Sequence, residues 1–190
     1  MILYFFRHGQ TEWNDFGKIN GLTDIPLNEE AKRDAEMVRE YLKKQNILFD
    51  QVVSSPLCRA IETASLISGE ATEHIIQMEE LVERDFRSLE GMEKKNCTLE
   101  QIEEVAESHM AIYKRIMKGL KKISKLQGER ILVVSHESIL RHINTYICKS
   151  SEYKILDITN YGFFIAETDE KQWKVIDETM IHGINRKKEG

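Results

Sequence analysis

Apolar positions along the chain occur in two patterns, short unbroken runs and longer stretches with apolar residues three or four apart. Ile2-Leu3-Tyr4-Phe5-Phe6 is an unbroken run stopped by Arg7-His8-Gly9, as expected of a strand covered on both faces in a mainly parallel sheet. Ile131-Leu132-Val133-Val134, ending at Ser135-His136, is a second such run, and Val52-Val53 within 50–54 is a shorter one. Helical spacing lies between and after them. Asn28 is a suitable cap with Glu29 and Glu30 in the first turn, and Ala31, Ala35, Val38 and Leu42 form one apolar stripe. Ser55 and Pro56 fit the cap and first turn of a helix that buries Leu57, Ala60, Ile61, Ala64 and Ile67 and stops at Gly69. Thr98-Leu99-Glu100-Gln101 fits a capping box. The stripe Leu99, Ile102, Val105, Ala106, His109, Ile112, Ile116, Leu120 and Ile123 then predicts one long helix towards Gly128. Ile139, Leu140, Ile143 and Ile147 predict a further helix directly after the second run. Phe163 to Glu167 and Trp173 to Ile176 predict a hairpin at the sheet edge, and Arg186 to Gly190 reads as a frayed tail. Met92 to Asn96 is a short polar loop. No internal repeat or linker interrupts the series, so the pattern predicts one α/β domain over residues 1–190.

Charge narrows the partners. Lys and Arg total 27 against 32 Asp and Glu, a formal net charge of -5, which is the wrong sign for general attraction to nucleic acid or an anionic membrane. Neither is expected as a partner, and an anionic ligand must be met by a local site. The Ile2 to Phe6 run lacks a basic segment before it and is too short for a signal core or a membrane span, so a cytoplasmic home is expected. Cys58, Cys97 and Cys148 are odd in number and widely spaced, the pattern of reduced, buried small hydrophobes rather than of a disulfide framework or a paired-thiol metal site. His74, His109, His142 and His182 show no ligand spacing with them and read as surface or packed residues. Lys118, Lys121, Lys122 and Lys125 read as a solvated face that complements the negative end of the long helix. No exposed heptad or apolar stripe stands out, and the oligomeric state is left open.

The strand ends carry one kind of chemistry. In open α/β sheets the ligand crevice lies beyond the carboxyl ends of the strands, and here those ends supply Arg7-His8-Gly9, Ser54 to Arg59, and Ser135-His136. Two guanidiniums and two imidazoles around one point call for an anion, and a phosphate dianion has the charge and the oxygens to accept several bidentate contacts. Arg59 would sit in the first turn of its helix, where exposed N–H groups add to the same positive field. Gly9 would allow close backbone approach.

These residues carry a resemblance. Arg7-His8-Gly9-Gln10-Thr11-Glu12-Trp13-Asn14 is similar to the signature of the histidine phosphatase superfamily, the phosphoglycerate-mutase-like fold. The match continues through Gly21 to Leu27, Ser54-Ser55-Pro56-Leu57 with Arg59, Leu81 with Glu83, Glu90-Gly91-Met92, and Val134-Ser135-His136 with Arg141. The resemblance implies a three-layer αβα sandwich around a mainly parallel sheet, and a phosphomonoesterase acting on a small phosphorylated metabolite without metal or cofactor. It implies that His8 attacks phosphorus, that Arg7 and Arg59 bind the phosphoryl oxygens, that His136 stabilises their charge and that Glu83 is the proton donor. Asn14 matches a polar pocket residue, and Thr11 with the Asn20-Gly21 backbone would border the substrate.

The chain departs from the family pattern at several positions. Ala31 and Arg87 stand where glycine is common, and Asn20 where glutamine is common. Glu137 follows the second histidine where many members have glycine, which places a carboxylate near the expected phosphate. It also lies four residues before Arg141 at a positive helix end, so its carboxylate is predicted to turn towards Arg141 and leave the pocket usable. Arg87, Lys94 and Lys95 are candidates for recognising a second anionic group. The stretch from Glu83 to His136 is shorter than the family's mutases usually have, which favours a phosphatase over a phosphoglycerate mutase-type phosphotransferase. A non-catalytic phospholigand-binding protein is the third reading, with Glu137 as its one support. Cys58 is the rival nucleophile.

Overall fold

The computed structural model describes residues 1–149, 157–169, 171–180 and 182. In chain order the strands are β1 (Ile2–Arg7), β2 (Gln51–Ser54), β3 (Ile76–Gln77), β4 (Arg130–Ser135), β5 (Phe163–Thr168) and β6 (Trp173–Asp177). The helices are α1 (Glu12–Asp15), α2 (Glu29–Lys44), α3 (Cys58–Ser68), α4 (Leu99–Val105), α5 (His109–Ile123) and α6 (Glu137–Ile147). The strands form one sheet in the order β3-β2-β4-β1-β5-β6. The pairs β1–β4, β2–β4 and β2–β3 are parallel, and the hairpin β5–β6 adds to β1 antiparallel.

Alternation along β1 divides the core into two layers, because successive side chains in a strand point to opposite faces. Leu3 and Phe5 pack with Val133, Phe164 and the apolar stripes of α5 and α6. Tyr4 and Phe6 pack with Val134, Phe163 and the stripes of α2 and α3. The result is a sheet with helices on both faces, in agreement with the expected three-layer plan. Parallel pairing of β2, β4 and β1 brings three carboxyl ends side by side: His8 N donates to Ser135 O at 3.0 Å and Ser55 N to Val134 O at 3.0 Å.

Several expectations hold at the level of single residues. Asn28 caps α2 through a bond from Ala31 N at 2.7 Å, Thr98 and Gln101 form the capping box of α4, and Gly69 ends α3 in the left-handed conformation at φ 82°. Others are corrected. The predicted long helix is two, α4 and α5. Ala106 is extended and Ser108 caps anew by accepting from Ala111 N. This break lets Glu107 N donate to Asp85 O at 2.7 Å and the Glu107 carboxylate meet Arg115. Helix α3 begins at Cys58, not at Pro56, and its cap, Leu57, has no side-chain acceptor. Asp24 Oδ1 accepts from Cys58 N at 2.8 Å instead. The two-residue strand β3 carries too little pattern to be read from sequence. Lys118 and Lys122 are not merely solvated, since they pair with the buried Glu80 at 3.0 and 2.6 Å. The expected tail at 186–190 lies outside the described residues, and no helix among the described residues is long and apolar enough to cross a membrane.

Candidate active site

A cavity of about 540 Å³ opens at the carboxyl ends of the central strands. Arg7, His8, Asn14, Asn20 and Glu83 line it, together with Arg84, Lys94, Glu103, His109, Glu137 and Arg141. Arg59 and His136 lie completely buried behind this wall.

The strand-end backbone holds His8. Its Nδ1 lies 2.6 Å from Gly9 O, and because a carbonyl only accepts, Nδ1 carries the proton and Nε2 keeps the lone pair. Asn160 Nδ2 donates to His8 O at 2.9 Å, and Gly9 N donates to Thr63 Oγ1 at 2.9 Å. Burial, and then the charges of Arg59 and Arg7, push the imidazole well below its usual titration range, so it is neutral near pH 7. His136 is 5.1 Å from His8, ring centre to ring centre. It too is held well below its usual range, by burial first and then by Arg59 and His8. Its Nε2 is 2.8 Å from Ser55 Oγ.

The guanidiniums are fixed by carbonyls. Arg59 donates to Gly21 O at 2.7 Å and to Thr23 O at 3.0 Å. That loop is itself gripped by Glu90, which accepts from Leu22 N and Thr23 N at 2.8 Å each. Arg7 Nη1 donates to Ile158 O at 2.6 Å and pairs with Glu137 Oε2 at 2.8 Å. Among the described residues, Arg7 Nε, Arg59 Nε and His136 Nδ1 are buried without a hydrogen-bond partner. The two guanidinium N–H groups are donors, and unpaired buried donors are costly unless a ligand supplies an acceptor.

Glu83 is 6% exposed. Burial raises its carboxyl above the ordinary range; the Arg84 N–H and Arg59 pull the other way, and the Glu137 charge adds to the rise. Its backbone is set by Arg115 of α5, which donates to the carbonyls of Glu80, Val82 and Glu83 at 3.0, 2.7 and 3.0 Å.

Several placements differ from expectation. Thr11 is fully buried and off the cavity wall, since it caps α1 and bonds Asn14 and Asn20. Gly21 is also off the wall; its carbonyl is taken by Arg59, and a side chain there would strike the Glu90 carboxylate. Gly9 makes room for the Tyr161 hydroxyl, which donates to Ala31 O. Of the candidate second-anion residues, Lys94 lines the cavity, whereas Lys95 pairs with Glu93 and Arg87 is exposed away from it. Glu137 does turn to Arg141, at 2.5 Å, but it bridges to Arg7 as well. None of the cysteines is buried as expected, Cys58 and Cys97 being half-buried and Cys148 exposed; partial burial, with Asp24 beside it, pushes the Cys58 thiol up to about 12, against a role as nucleophile. Sequence reasoning missed Arg115, Ser55 as a partner of His136, and the Ile158 and Asn160 contacts. All of these act across more than 30 residues of chain, and only the hydroxyl at the end of β2 gave a local hint.

Known proteins share this fold. The uncharacterized phosphatase PhoE of Bacillus subtilis (strain 168) is 31% identical over 183 residues, covering 90% of this chain and 90% of that protein. The crystal structure of a phosphoglycerate mutase from Bacillus anthracis str. Sterne matches with a TM-score of 0.80 and 25% identity over 93% of this chain and 92% of its own. A phosphoserine phosphatase from Entamoeba histolytica, solved with 3-phosphoglyceric acid, matches with a TM-score of 0.78 and 25% identity, covering 95% and 98%. Residues 3–179 match the histidine phosphatase superfamily (branch 1), and the chain belongs to that family.

Proposed function

We propose that the protein is a phosphomonoesterase that hydrolyses a small phosphorylated metabolite through a phosphohistidine on His8. The observation that carries this reading is the fixed tautomer of His8: Nδ1–H is spent on Gly9 O, and the ring is neutral in a field of guanidiniums. A neutral imidazole with one free lone pair is a competent nucleophile, and those cations stabilise the phosphoryl oxygens it attacks.

In the first step Nε2 of His8 bonds to phosphorus as the ester oxygen departs with its electron pair and takes a proton from Glu83. A raised carboxyl range suits Glu83 to hold that proton near neutral pH. In the second step water attacks the phosphohistidine, returns a proton to Glu83 and releases phosphate. Arg7 and Arg59 bind the phosphoryl oxygens. With Ser55 donating its hydroxyl hydrogen to His136 Nε2, the His136 proton sits on Nδ1, one of the buried donors without a partner. Asn14 and Asn20, on the cavity wall, border the substrate. The names of the PhoE relative and of the phosphoserine phosphatase support hydrolysis.

The second reading is phosphotransfer between two hydroxyls, as in the phosphoglycerate mutase match, and Lys94 on the cavity wall favours it by offering a cation to a second anion. One experiment decides. Rapid quenching with a radiolabelled phosphate ester is expected to give an acid-labile, alkali-stable label on the peptide containing His8, with inorganic phosphate as final product. Label on Cys58, or binding without turnover, would reject the assignment.

A further inference from the structure

Glu137 is the first residue of α6, where peptide dipoles favour a carboxylate, and it lines the cavity. Its two oxygens are divided between two guanidiniums, Oε2 to Arg7 Nη1 at 2.8 Å and Oε1 to Arg141 Nη2 at 2.5 Å. Both hydrogens of Arg7 Nη1 are therefore committed, one to Ile158 O and one to Glu137. That leaves Nε and Nη2 for a phosphoryl group, and Nε is buried without a partner among the described residues. The fork between Arg7 and Arg141 is what a carboxylate or second phosphate on a substrate would seek. It already holds a carboxylate, supplied by the chain.

The neighbouring cations are engaged in the same way. Arg84 meets Glu103 with both terminal nitrogens, at 3.0 and 3.1 Å, and its Nε donates to Glu107 O. Lys94 remains as an exposed lysine on the wall. A strongly hydrated ammonium on a flexible stem is a weak selector beside a fixed carboxylate.

We infer that Glu137 is a specificity-determining residue that occupies the second-anion position, so the substrate is a phosphomonoester whose alcohol part carries neither a carboxylate nor a second phosphate. The inference rests on the reading that this cavity takes a phosphomonoester. Like charges brought together at a binding surface are strongly disfavoured, and a fixed Glu137 presents that repulsion to one class of substrate and not the other.

The test compares glycerol 3-phosphate with 3-phosphoglycerate, which share the ester and the carbon skeleton and differ by a carboxylate in place of a hydroxymethyl group. Equilibrium binding is measured by calorimetry in a His8→Ala background, or His8→Gln should the alanine variant not fold, so that turnover plays no part. Glycerol 3-phosphate is expected to bind about tenfold or more tightly than 3-phosphoglycerate. Adding Glu137→Gln should bring the two within about twofold, through a gain for 3-phosphoglycerate. Equal or tighter binding of 3-phosphoglycerate with Glu137 in place would overturn the proposal and transfer selection to Lys94. An equal gain for both esters, or an unchanged ratio, would overturn it as well. If the binding ratio behaves as expected while the wild-type protein hydrolyses neither ester, the phosphomonoesterase reading falls and the role of Glu137 stands.

Discussion

Two pairs of histidines, each with one ring on the cavity wall, stand at almost the same spacing but bond to different partners. His8 and His136 have ring centres 5.1 Å apart and planes at 58°, and each spends one nitrogen on a neighbour other than its partner, Gly9 O and Ser55 Oγ. His109 and His142 are 5.0 Å apart at 32° and bond directly, Nδ1 to Nε2, at 2.8 Å. The first pair is buried among arginines, so burial and like charge both favour the neutral rings. The second lies in a chain with acceptors at both ends. His142 Nδ1 reaches Ser138 O at 2.7 Å, and His109 Nε2 reaches Glu103 Oε2 at 3.0 Å. Those contacts run as one chain from Ser138 O through both rings to the Glu103 carboxylate. His142 is pushed down to about 4, chiefly by burial. Ring spacing therefore says nothing about protonation; the groups at the outer nitrogens decide it.

The sharpest way to break this comparison is kinetic. His136→Asn is expected to lower kcat by about a hundredfold to a thousandfold, the usual loss for one preorganised donor at a reacting centre. His109→Gln should change kcat for an aryl phosphate by less than about threefold, because it holds the wall and not the phosphoryl group. Comparable losses at the two positions, measured under single-turnover conditions, would mean that both pairs serve the chemistry.

The next effect is on stability against pH. His8 has a depressed value when folded and its ordinary value of about 6.5 when unfolded. As pH falls below about 6.5 the unfolded chain takes up a proton that the folded one refuses, so stability present above this range is lost towards acid. His136 has the same sign. Glu83, raised on folding, has the opposite one, since its contribution is present at low pH and is lost as pH rises through its folded value. Urea unfolding between about pH 6.5 and 5 should show His8→Gln with a slope shallower than wild type by about 1.4 kcal/mol per pH unit. An unaltered slope would show that His8 is charged in the folded protein.

The smallest effect is expected at the second pair. Glu103→Gln should lower the unfolding free energy by about 1 kcal/mol, since the bond to His109 is half exposed while the fork to Arg84 is less so. In ring-nitrogen spectra of the wild type near pH 6, His142 should carry a proton on Nδ1 alone. A proton on both nitrogens of His142 under those conditions would contradict its burial as a neutral ring.

Much of this was legible in the chain and some was not, for reasons that follow from how each feature is encoded. The runs at 2–6 and 131–134, the Asn28 and Thr98 caps and the Gly69 stop are local signals, and the structure reproduces them. The division between α4 and α5 was hidden because the apolar stripe continues through Ala106 while the break is made by Glu107 reaching Arg115 and Asp85. Glu80, Glu83 and Arg84 sit in a charged stretch that reads as solvated, yet all three are at most 6% exposed. Their partners, Lys118 and Lys122, Arg115, and Glu103, come from other elements.

The sequence by itself determined the layer plan and the convergence of Arg7, His8, Ser55, Arg59, Ser135 and His136. Apolar runs that end in polar residues fix strand termini, and parallel order then places those termini together. Only the tertiary structure decided which nitrogen of His8 is free, that Arg59 and His136 lie behind the cavity wall, that Thr11 and Gly21 serve the scaffold, and that Glu137 joins Arg7 to Arg141. These depend on groups distant in sequence meeting at about 3 Å, and on the local loss of water that comes with burial. Neither is present in a chain until it has folded.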